Sequence, residues 1–506
     1  MASRKNIDLS RDSDLQMVLD ILENSDASFS SDDDLENDCL TLEQMEESDS
    51  SDEDDSERDL IPENFVINQK ATTSQRTDLW KKKEFVVHDI PIVQGCENFV
   101  ELGTPLNYFS KYFTETHYTD AVKYTKMYTL ATSGTEMSLT ETELKNFYGC
   151  AIIMSCLGYP QMKMYWEDNY RCEIIAASMS RNKFMRFRNT IHFVDNNKPS
   201  ETNKLWRVQP VIDLVRSRCN ELASAVTSYS IDEQIVPFTG RCPARQVIRS
   251  KPRPVGLKNL VCATSDGLVV DFEVFQGAGT FPDCGLGHGP SIVLRLTKCL
   301  PKGSHLYFDR FFTTIPLLEK LQDIGFKATG TIMGNRLGKR INFPADKAMA
   351  RGDMHQFVKD DNVAVVKWCD TKCVTIASTA CGKDPIGEVN RWVRNLKRRL
   401  PVPIPAVVQL YNSKMGGVDI ADQMMEYYRI KTKTRKWPVK VFFHFLDLAI
   451  YNSWMEYRKA AKTLGVARNK MKKFLDFKME IGEVLAKYKG SPLEVSPFEL
   501  PEDYHG

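Results

Sequence analysis

The region between residues 227 and 335 alternates short β-like runs with a helical run, and this alternation limits the folds open to the chain. The β-like runs are YSIDEQIVPF, LKNLVCATSDGLVVDFEVFQG, SHLYFDRFF and KATGTIM, with turn residues between them. TTIPLLEKLQDIGF lies between the last two runs and has the apolar spacing of a helix. Strands and helices interleaved in this way are typical of α/β proteins. We therefore predict an α/β core.

Helical patterns flank this region on both sides. TETELKNFYGCAIIMSCLGYP opens with Thr-x-x-Glu capping chemistry, continues at helical spacing and ends at Gly-Tyr-Pro. Similar segments follow to about residue 226, and helices return after Asp422, most strongly in KVFFHFLDLAIYNSWMEYRKAAKTL. Residues 336–404 are less regular and include the strand-like NVAVVKWC and CVTIAST. The sequence thus predicts helical segments before and after the α/β core.

The formal charges of the chain sum to zero but divide unevenly. Residues 1–60 contain 4 basic and 21 acidic residues, which leaves 63 basic and 46 acidic residues in the remainder. The acidic stretch is rich in serine and poor in aromatic residues, so it cannot bury enough apolar surface to offset chain entropy, and we predict a disordered tail. Its Ser-Asp and Ser-Glu clusters are candidate sites for an acid-directed kinase. The basic body favours a polyanionic partner, with nucleic acid as the first candidate.

The sequence predicts neither a membrane-spanning segment nor a signal peptide. Its most apolar long window, FYGCAIIMSCLGY at 147–159, is shorter than the roughly 20 residues that span a bilayer. The start, MASRKNIDLSRDSD, has no apolar core of the kind that a signal peptide needs. We therefore expect an intracellular chain without a membrane partner.

Four aspartates stand in contexts that suit metal binding. Asp232 follows SYSI, Asp309 follows HLYF, and Asp419 and Asp422 lie three residues apart at the start of a helical segment, hence on one face. Carboxylates so placed suit a hard divalent cation such as Mg²⁺. Two such ions roughly 3.5 to 4 Å apart activate the attacking oxygen and stabilise the leaving oxygen of a phosphodiester. The chain has 67 acidic residues, however, and strand-end aspartates often cap helices or form turns, so both interpretations stay open.

Three blocks of the chain resemble the catalytic blocks of the piggyBac family of transposases. The first is SIDEQIVPFTGRCPARQVIRSKPRPVGLKNL, and the second is YFDRFFTTIPLLEKL with KATGTIMGNR after it. The third is YNSKMGGVDIADQM, followed by KTRKWPVKVFFHFLDLAIYNSW. LGYPQMKMYWED and MSRNKFMRFRNTIHFVDNN also resemble the N-terminal helical region of that family. The resemblance covers nearly everything from residue 98 to residue 480.

The resemblance implies an α/β ribonuclease H-like catalytic core with an insertion domain, flanked by a split, mostly helical DNA-binding domain and preceded by a disordered acidic N-terminal tail. The expected boundaries follow from the matched blocks. They are 1–85 for the tail, 98–226 for the first helical part, 227–335 for the first part of the core, 336–404 for the insertion domain, 405–430 for the last part of the core, 431–490 for the second helical part and 491–506 for a C-terminal tail.

Carried over residue by residue, the resemblance makes Asp232, Asp309 and Asp419 the metal-binding carboxylates and Asp422 an auxiliary acid. It implies two Mg²⁺ or Mn²⁺ ions per active site, and in-line phosphoryl transfer that excises a DNA element and joins it at TTAA. The implied partner is double-stranded DNA, as transposon ends and as TTAA target. A homodimer is expected because two transposon ends must be held together, and the expected location is the nucleus.

Basic residues close to the matched blocks are candidates for DNA contact. The cations of RCPARQVIRSKPRPVGLK follow the first acid, so phosphate contact competes with a solvated basic loop. Trp437 matches a family tryptophan implicated in holding the DNA end; stacking on a base contributes ~1 to 3 kcal/mol, although a tryptophan before a helix is often core. Met333 stands where the family commonly has an arginine, with Arg336 nearby. The predicted DNA-contact residues are Arg241, Arg245, Arg249, Lys251, Arg253, Lys258, Arg336, Arg435, Lys436 and Trp437.

Two further features of the sequence each allow two interpretations. Alternation along a strand points Glu233 away from the face of Asp232, which favours a structural pairing role over a role in the site. The basic stretch 391–399 suits DNA contact or a nuclear import signal. The sequence alone does not distinguish either role from that of a solvent-exposed face.

One departure from the family pattern leads to a rival function. Members of the family commonly end in a cysteine- and histidine-rich zinc domain that recognises transposon ends, whereas the last cysteine here is Cys381, so we expect that domain to be missing. Two hypotheses follow: a metal-dependent transposase, favoured by the intact acids, and a domesticated, transposase-derived nuclear DNA-binding protein without mobilising activity. A metal-free two-carboxylate glycosidase ranks far behind, because it gives no reason for the basic body.

Overall fold

The computed structural model describes residues 80–86, 101–248, 254–337, 341–394 and 397–490. The helices in these ranges are α1 (Pro105–Phe109), α2 (Glu115–Ser133), α3 (Glu141–Leu157), α4 (Glu173–Ser178), α5 (Arg181–Thr190), α6 (Gln209–Glu221), α7 (His288–Leu296), α8 (Ile315–Asp323), α9 (Ala406–Lys414), α10 (Gly417–Tyr427), α11 (Trp437–Thr463) and α12 (Phe474–Ala486). None of these described helices combines the length and the apolar composition needed to cross a membrane.

The strands in the same ranges form one large mixed sheet and one small sheet. They are β1 (Trp80–Lys81), β2 (Ser228–Pro237), β3 (Arg245–Val247), β4 (Val255–Thr264), β5 (Val269–Val274), β6 (His305–Phe308), β7 (Lys327–Thr331), β8 (Met354–Lys359), β9 (Val363–Cys369), β10 (Cys373–Ser378), β11 (Gly387–Val393) and β12 (Arg398–Ile404).

The large sheet has the order β1-β8-β9-β10-β7-β6-β2-β4-β3, with β5 also paired to β4. Its centre is parallel, because β6 pairs with both β2 and β7 in that sense. The other pairings are antiparallel. Helix α8 provides the crossover that a parallel β6–β7 pair requires. The predicted α/β core is therefore confirmed.

Helix α3 begins at the capping box that the sequence predicts. The Thr140 hydroxyl accepts a hydrogen bond from the Glu143 N–H (3.2 Å), and the Glu143 carboxylate accepts one from the Thr140 N–H (3.0 Å). The helix then packs closely on α12 at Gly149, where a Cβ would lie only 2.3 Å from the Ala486 backbone nitrogen. The helices before the sheet and those after it therefore pack directly against each other.

Helix α11 is buried along most of its length and joins the helices to the sheet. Asn452 donates through Nδ2 to the Val269 carbonyl (2.7 Å), and its Oδ1 accepts from the Val269 N–H (3.1 Å). The adjacent Tyr451 hydroxyl donates to the Gly267 carbonyl (2.9 Å). These bonds satisfy backbone groups at the start of β5, which pairs only with β4 among the described strands. The helix therefore covers the free edge of that strand.

The prediction that residues 1–85 are disordered is wrong for the end of this segment, from Trp80 onward. Trp80 and Lys81 form β1 and pair with β8, Trp80 lying opposite Lys359. The Lys83 carbonyl accepts a hydrogen bond from Gln356 Nε2 (2.7 Å), and Trp80 packs on a hydrophobic core cluster. An aromatic side chain gives this segment apolar surface to bury, which the acidic stretch lacks. Residues 1–79, with the kinase sites predicted there, and 491–506 lie outside the described residues.

The segment predicted as an insertion domain, 336–404, is continuous with the large sheet. β10 pairs antiparallel with β7, where Ser378 lies opposite Thr329, and β9 and β8 extend the sheet further. β11 and β12 pair only with each other among the described strands. Three of the five described strands in this segment therefore extend the core sheet, and the domain boundaries stay a prediction.

A buried ion pair ties α11 to α12. Lys478 is 1% exposed and Asp447 is 3% exposed. Lys478 Nζ donates to Asp447 Oδ1 (2.7 Å) and to the Tyr428 carbonyl (2.6 Å), while Asp447 Oδ2 accepts from the Ile430 N–H (2.9 Å). The pair thus also fixes residues 428–430, which follow α10.

We expect Lys478→Met to lower the free energy of unfolding by about 3 to 5 kcal/mol, because it leaves a buried carboxylate unpaired. The double variant Lys478→Met with Asp447→Leu should recover part of that loss. Denaturant unfolding measures both. Lys487→Met, which removes an exposed lysine paired with Glu483, is the control. Equal losses for Lys478→Met and Lys487→Met would contradict a special role for the buried pair.

Candidate active site

Asp232 and Asp309 lie side by side on adjacent parallel strands. In the β2–β6 register Ile231 is paired with Phe308, so the two aspartates occupy the next position of each chain. β2 continues to Pro237, and Asp232 therefore lies within a strand rather than at its end. Both aspartates are half-buried. The parallel pairing brings together two carboxylates separated by more than seventy residues of sequence.

Helix α10 packs directly against the sheet at Gly417. A Cβ on Gly417 would lie 2.2 Å from the Thr264 carbonyl oxygen and 2.6 Å from the Ser230 hydroxyl. Any side chain at this position would force the helix away from β2 and β4. The second glycine of YNSKMGGVD is thus required by the close approach of the helix to the sheet.

The same helix carries the remaining two predicted acids. Asp422 Oδ1 accepts a hydrogen bond from Gln234 Nε2 (3.2 Å). Every second residue of β2 shares a face of the strand, so Ser230, Asp232 and Gln234 lie on the same side. Helix α10 therefore lies over the face that carries the first acid. Asp419, in the first turn of α10, is exposed. Helix α10 thus carries Asp419 and Asp422 over the face of β2 that bears Asp232.

Burial raises the pKa of Asp309, and the negative charge of Glu233 adds to the rise. The hydrogen bond from the Phe311 N–H to Asp309 Oδ1 (2.9 Å) opposes it. Glu233 forms the predicted structural pair, with Lys258 at 2.5 Å. Its carboxylate nevertheless acts on the site, which strand alternation alone did not indicate.

Tyr411 on α9 belongs to the site, although the sequence analysis did not single it out. Burial raises its pKa; a hydrogen bond with Thr331 opposes the rise, and the charges of Asp309, Asp232 and Asp419 each add to it. A phenol that responds to all three carboxylates lies near each of them and stays protonated at neutral pH, as a hydrogen-bond donor. Tyr411 is the first residue of the third matched block, which was the available signal.

Asp422 is held by a cation that the sequence analysis also missed. Arg429 is 8% exposed and lies 3.3 Å from Asp422 Oδ1 and 2.8 Å from Glu426. Burial raises the pKa of Asp422, while Arg429 and the Gln234 hydrogen bond oppose the rise and Glu426 adds to it. Asp422 is thus engaged in protein contacts, and its role as an auxiliary acid stays a prediction.

The donor types fit a hard divalent cation, but the carboxylates are not assembled into a ligand cluster. Asp232, Asp309 and Asp419 provide only oxygen donors, and the excess of negative charge around them would favour a cation. In the described ranges, no group of three or more His, Cys, Asp or Glu side chains is arranged to hold a metal ion. The metal assignment therefore stays a prediction.

Two of the predicted DNA-contact cations make structural contacts beside Asp309. Arg336 donates through one guanidinium nitrogen to three backbone carbonyls, those of Arg310 (2.7 Å), Phe311 (2.9 Å) and Thr313 (3.0 Å). Lys258 pairs with Glu233, as described above. Arg336 thus contacts the loop that follows the second acid through one of its guanidinium nitrogens.

The other predicted DNA-contact residues differ in how much surface they present. Arg241 and Arg435 are exposed, Arg245 donates to the Thr239 and Gly240 carbonyls (3.1 Å each), and Lys436 donates to the Asn189 carbonyl (2.7 Å). Trp437 is 8% exposed, in the main hydrophobic core, so little of its indole is available for stacking on a base. Arg249, Lys251 and Arg253 lie outside the described residues.

A mixed sheet with aspartates on adjacent parallel strands and a third on a helix over them defines an α/β protein consistent with the ribonuclease H-like class. Comparison with known families is more specific. A family model described as Transposase IS4 matches residues 104–454. This chain belongs to the piggyBac family of transposases and transposable element-derived proteins.

Individual relatives show the extent of the similarity. Human piggyBac transposable element-derived protein 3 is 30% identical over 424 residues, which cover 80% of this chain and 71% of that protein. Human piggyBac transposable element-derived protein 2 is 31% identical over 368 residues, covering 70% and 62% respectively. The solved structure of a piggyBac transposase synaptic complex with hairpin DNA matches with a TM-score of 0.64 at 22% identity, covering 77% of this chain and 81% of that one. The last match establishes similarity of fold.

We expect Gly417→Ala to displace α10 from the sheet and to lower the free energy of unfolding by about 1 to 3 kcal/mol, as overpacking does. Gly416→Ala is a matched control, because Gly416 has φ −74° and nothing lies within 4 Å of an added Cβ. Thermal unfolding of the two variants tests the difference. Identical melting temperatures would show that the helix does not depend on this contact.

We expect Asp309→Asn to raise the melting temperature at pH 7 to 8 in the presence of a metal chelator. The folded state raises the pKa of Asp309 and so binds its proton more tightly than the unfolded state, whose aspartate pKa is about 3.9. Ionisation therefore costs stability above the folded pKa, and this cost disappears as the pH falls below about 4. Asp323→Asn, at an exposed site at the end of α8, is the control. A gain that persists at pH 3 would contradict this origin.

Proposed function

We propose that this protein is a DNA strand-transferase of the piggyBac type, which cuts and joins double-stranded DNA by divalent-metal phosphoryl transfer. The observation that carries the proposal is the β2–β6 register, because it sets Asp232 beside Asp309 under the helix that bears Asp419. Grouped carboxylates from distant parts of the chain are costly unless they serve a cation. Membership of the transposase family supports the same function.

Asp232, Asp309 and Asp419 would hold Mg²⁺ or Mn²⁺, as two ions, and Asp422 would support them. When bound, such ions activate the attacking oxygen and stabilise the leaving oxygen of a phosphodiester. The protein's own contribution is positional: Gln234 and Arg429 hold Asp422, and Arg336 holds the loop after Asp309. No serine or tyrosine nucleophile is needed for this chemistry.

The proposed partner is double-stranded DNA, in the form of transposon ends and a TTAA target. The matched solved structure is a piggyBac transposase synaptic complex with hairpin DNA, and the basic excess of residues 61–506 suits the same polyanion. A homodimer is part of the proposal because two DNA ends must be joined together. The nucleus is the compartment in which that substrate is found.

The second candidate is a domesticated DNA-binding protein that no longer mobilises DNA. Two observations favour it: the relatives are described as transposable element-derived proteins, and the described acids form no assembled metal-ligand cluster. This function would retain the fold and the basic surface. This second function would not require an ionised Asp309.

The deciding experiment is Mg²⁺- or Mn²⁺-dependent excision and hairpin formation on a candidate element end, comparing wild type with Asp309→Asn. We expect cleavage by wild type and a loss of roughly 1,000-fold in the variant, because bound metal supplies several kcal/mol of transition-state stabilisation. Asp323→Asn should cleave like wild type. Absence of cleavage by wild type, together with salt-sensitive DNA binding that Asp309→Asn leaves unchanged, would establish the domesticated alternative.

A further inference from the structure

The β11–β12 hairpin does not pair with the large sheet among the described strands, but side-chain contacts anchor it to residues near β9. Arg391 Nε donates to Asp370 Oδ2 (2.7 Å), and Asp370 also pairs with Arg351 (2.7 Å). Trp368 Nε1 donates to the Pro403 carbonyl (2.8 Å). An isolated two-stranded ribbon is marginally stable in water, so these contacts hold the hairpin in a defined direction.

The far end of the hairpin differs in character from its base. Trp392 is 59% exposed and lies directly opposite Arg399 on the neighbouring strand. Arg394, Lys397 and Arg398 are exposed around the turn. In the part of the chain that the structure describes, none of these four cations pairs with a carboxylate, unlike the neighbouring Arg391. We call these five residues the hairpin tip.

Four positive charges within residues 394–399 repel one another, and the exposed indole of Trp392 lies beside them. A polyanion that also offers apolar surface would relieve this repulsion and cover the indole. The major groove of B-form DNA admits a two-stranded β-ribbon, with phosphates along both walls and thymine methyl groups on its floor. Shape, charge and the aromatic side chain therefore point to the same ligand.

We infer that the hairpin tip enters the major groove of duplex DNA and forms a contact site separate from the aspartate site. Arg394 and Arg398 contact phosphates, and Trp392 packs against base edges. The inference rests on the proposed function, since it assumes that DNA is the substrate. It names the strand ribbon as a second element, besides the predicted basic residues near the acids, through which that DNA is held.

The test is binding of the full chain to a fluorescently labelled 25-base-pair duplex, measured by anisotropy over a range of salt concentrations. Each phosphate contact contributes about 0.9 to the slope of log K against log salt, so Arg394→Ala with Arg398→Ala should reduce the slope by about 1.8. Trp392→Ala should weaken binding about 5- to 10-fold and leave the slope unchanged. Lys298→Ala with Lys302→Ala removes two exposed charges elsewhere and should leave the slope unchanged.

Several outcomes would overturn the inference. Wild-type binding with unchanged slope and affinity in the hairpin variants would exclude the hairpin from the DNA contact and leave the proposed function standing. Equal slope changes in the hairpin and control variants would reduce the effect to overall charge. A wild type that neither binds nor cleaves duplex DNA would remove the proposed function itself. Melting temperatures equal to wild type show that the exposed substitutions leave the fold intact.

Discussion

The candidate site depends on one close contact, that of Gly417 on α10 with the backbone of the sheet. The absence of a side chain there lets the helix rest on Thr264 and Ser230, at distances that no Cβ could share. Because the helix is rigid, this contact sets the height of Asp419 and Asp422 above the strands. Backbone packing at Gly417 thus positions the acids of the site, rather than polar interactions between their side chains.

The other end of α10 is held by the buried Lys478–Asp447 pair, which binds the backbone of residues 428–430. This backbone segment carries Arg429 to Asp422. A helix fixed at one end by close packing and at the other by a buried ion pair has little freedom to move. The helical segments therefore stabilise the site, since α11 and α12 supply both members of the pair.

Negative charge accumulates at the site without full compensation. Asp309 feels burial and Glu233 together, and Tyr411 responds to three carboxylates at once. Such an arrangement is unfavourable for folding alone, and perturbed carboxylates of this kind cluster at functional sites. Of the cations that the sequence offered as DNA contacts near the acids, Lys258 pairs with Glu233 on the neighbouring strand, and Arg336 donates to the loop after Asp309. The hairpin tip carries a further group of exposed positive charges.

The sequence by itself determined the α/β alternation, the capping box at Thr140 and the four aspartates, because each of these depends on residues within a few positions of one another. It could not show that β8, β9 and β10 extend the core sheet, that Trp80 begins a strand, or that Tyr411 and Arg429 lie beside the acids. Those outcomes depend on pairing and packing between segments far apart in the chain. Trp437 illustrates the difference: the family resemblance implied a DNA contact, and the hydrophobic core formed by distant helices decided that its indole is buried. Local pattern specifies elements, whereas burial and register, which only the tertiary structure settles, decide which side chains meet.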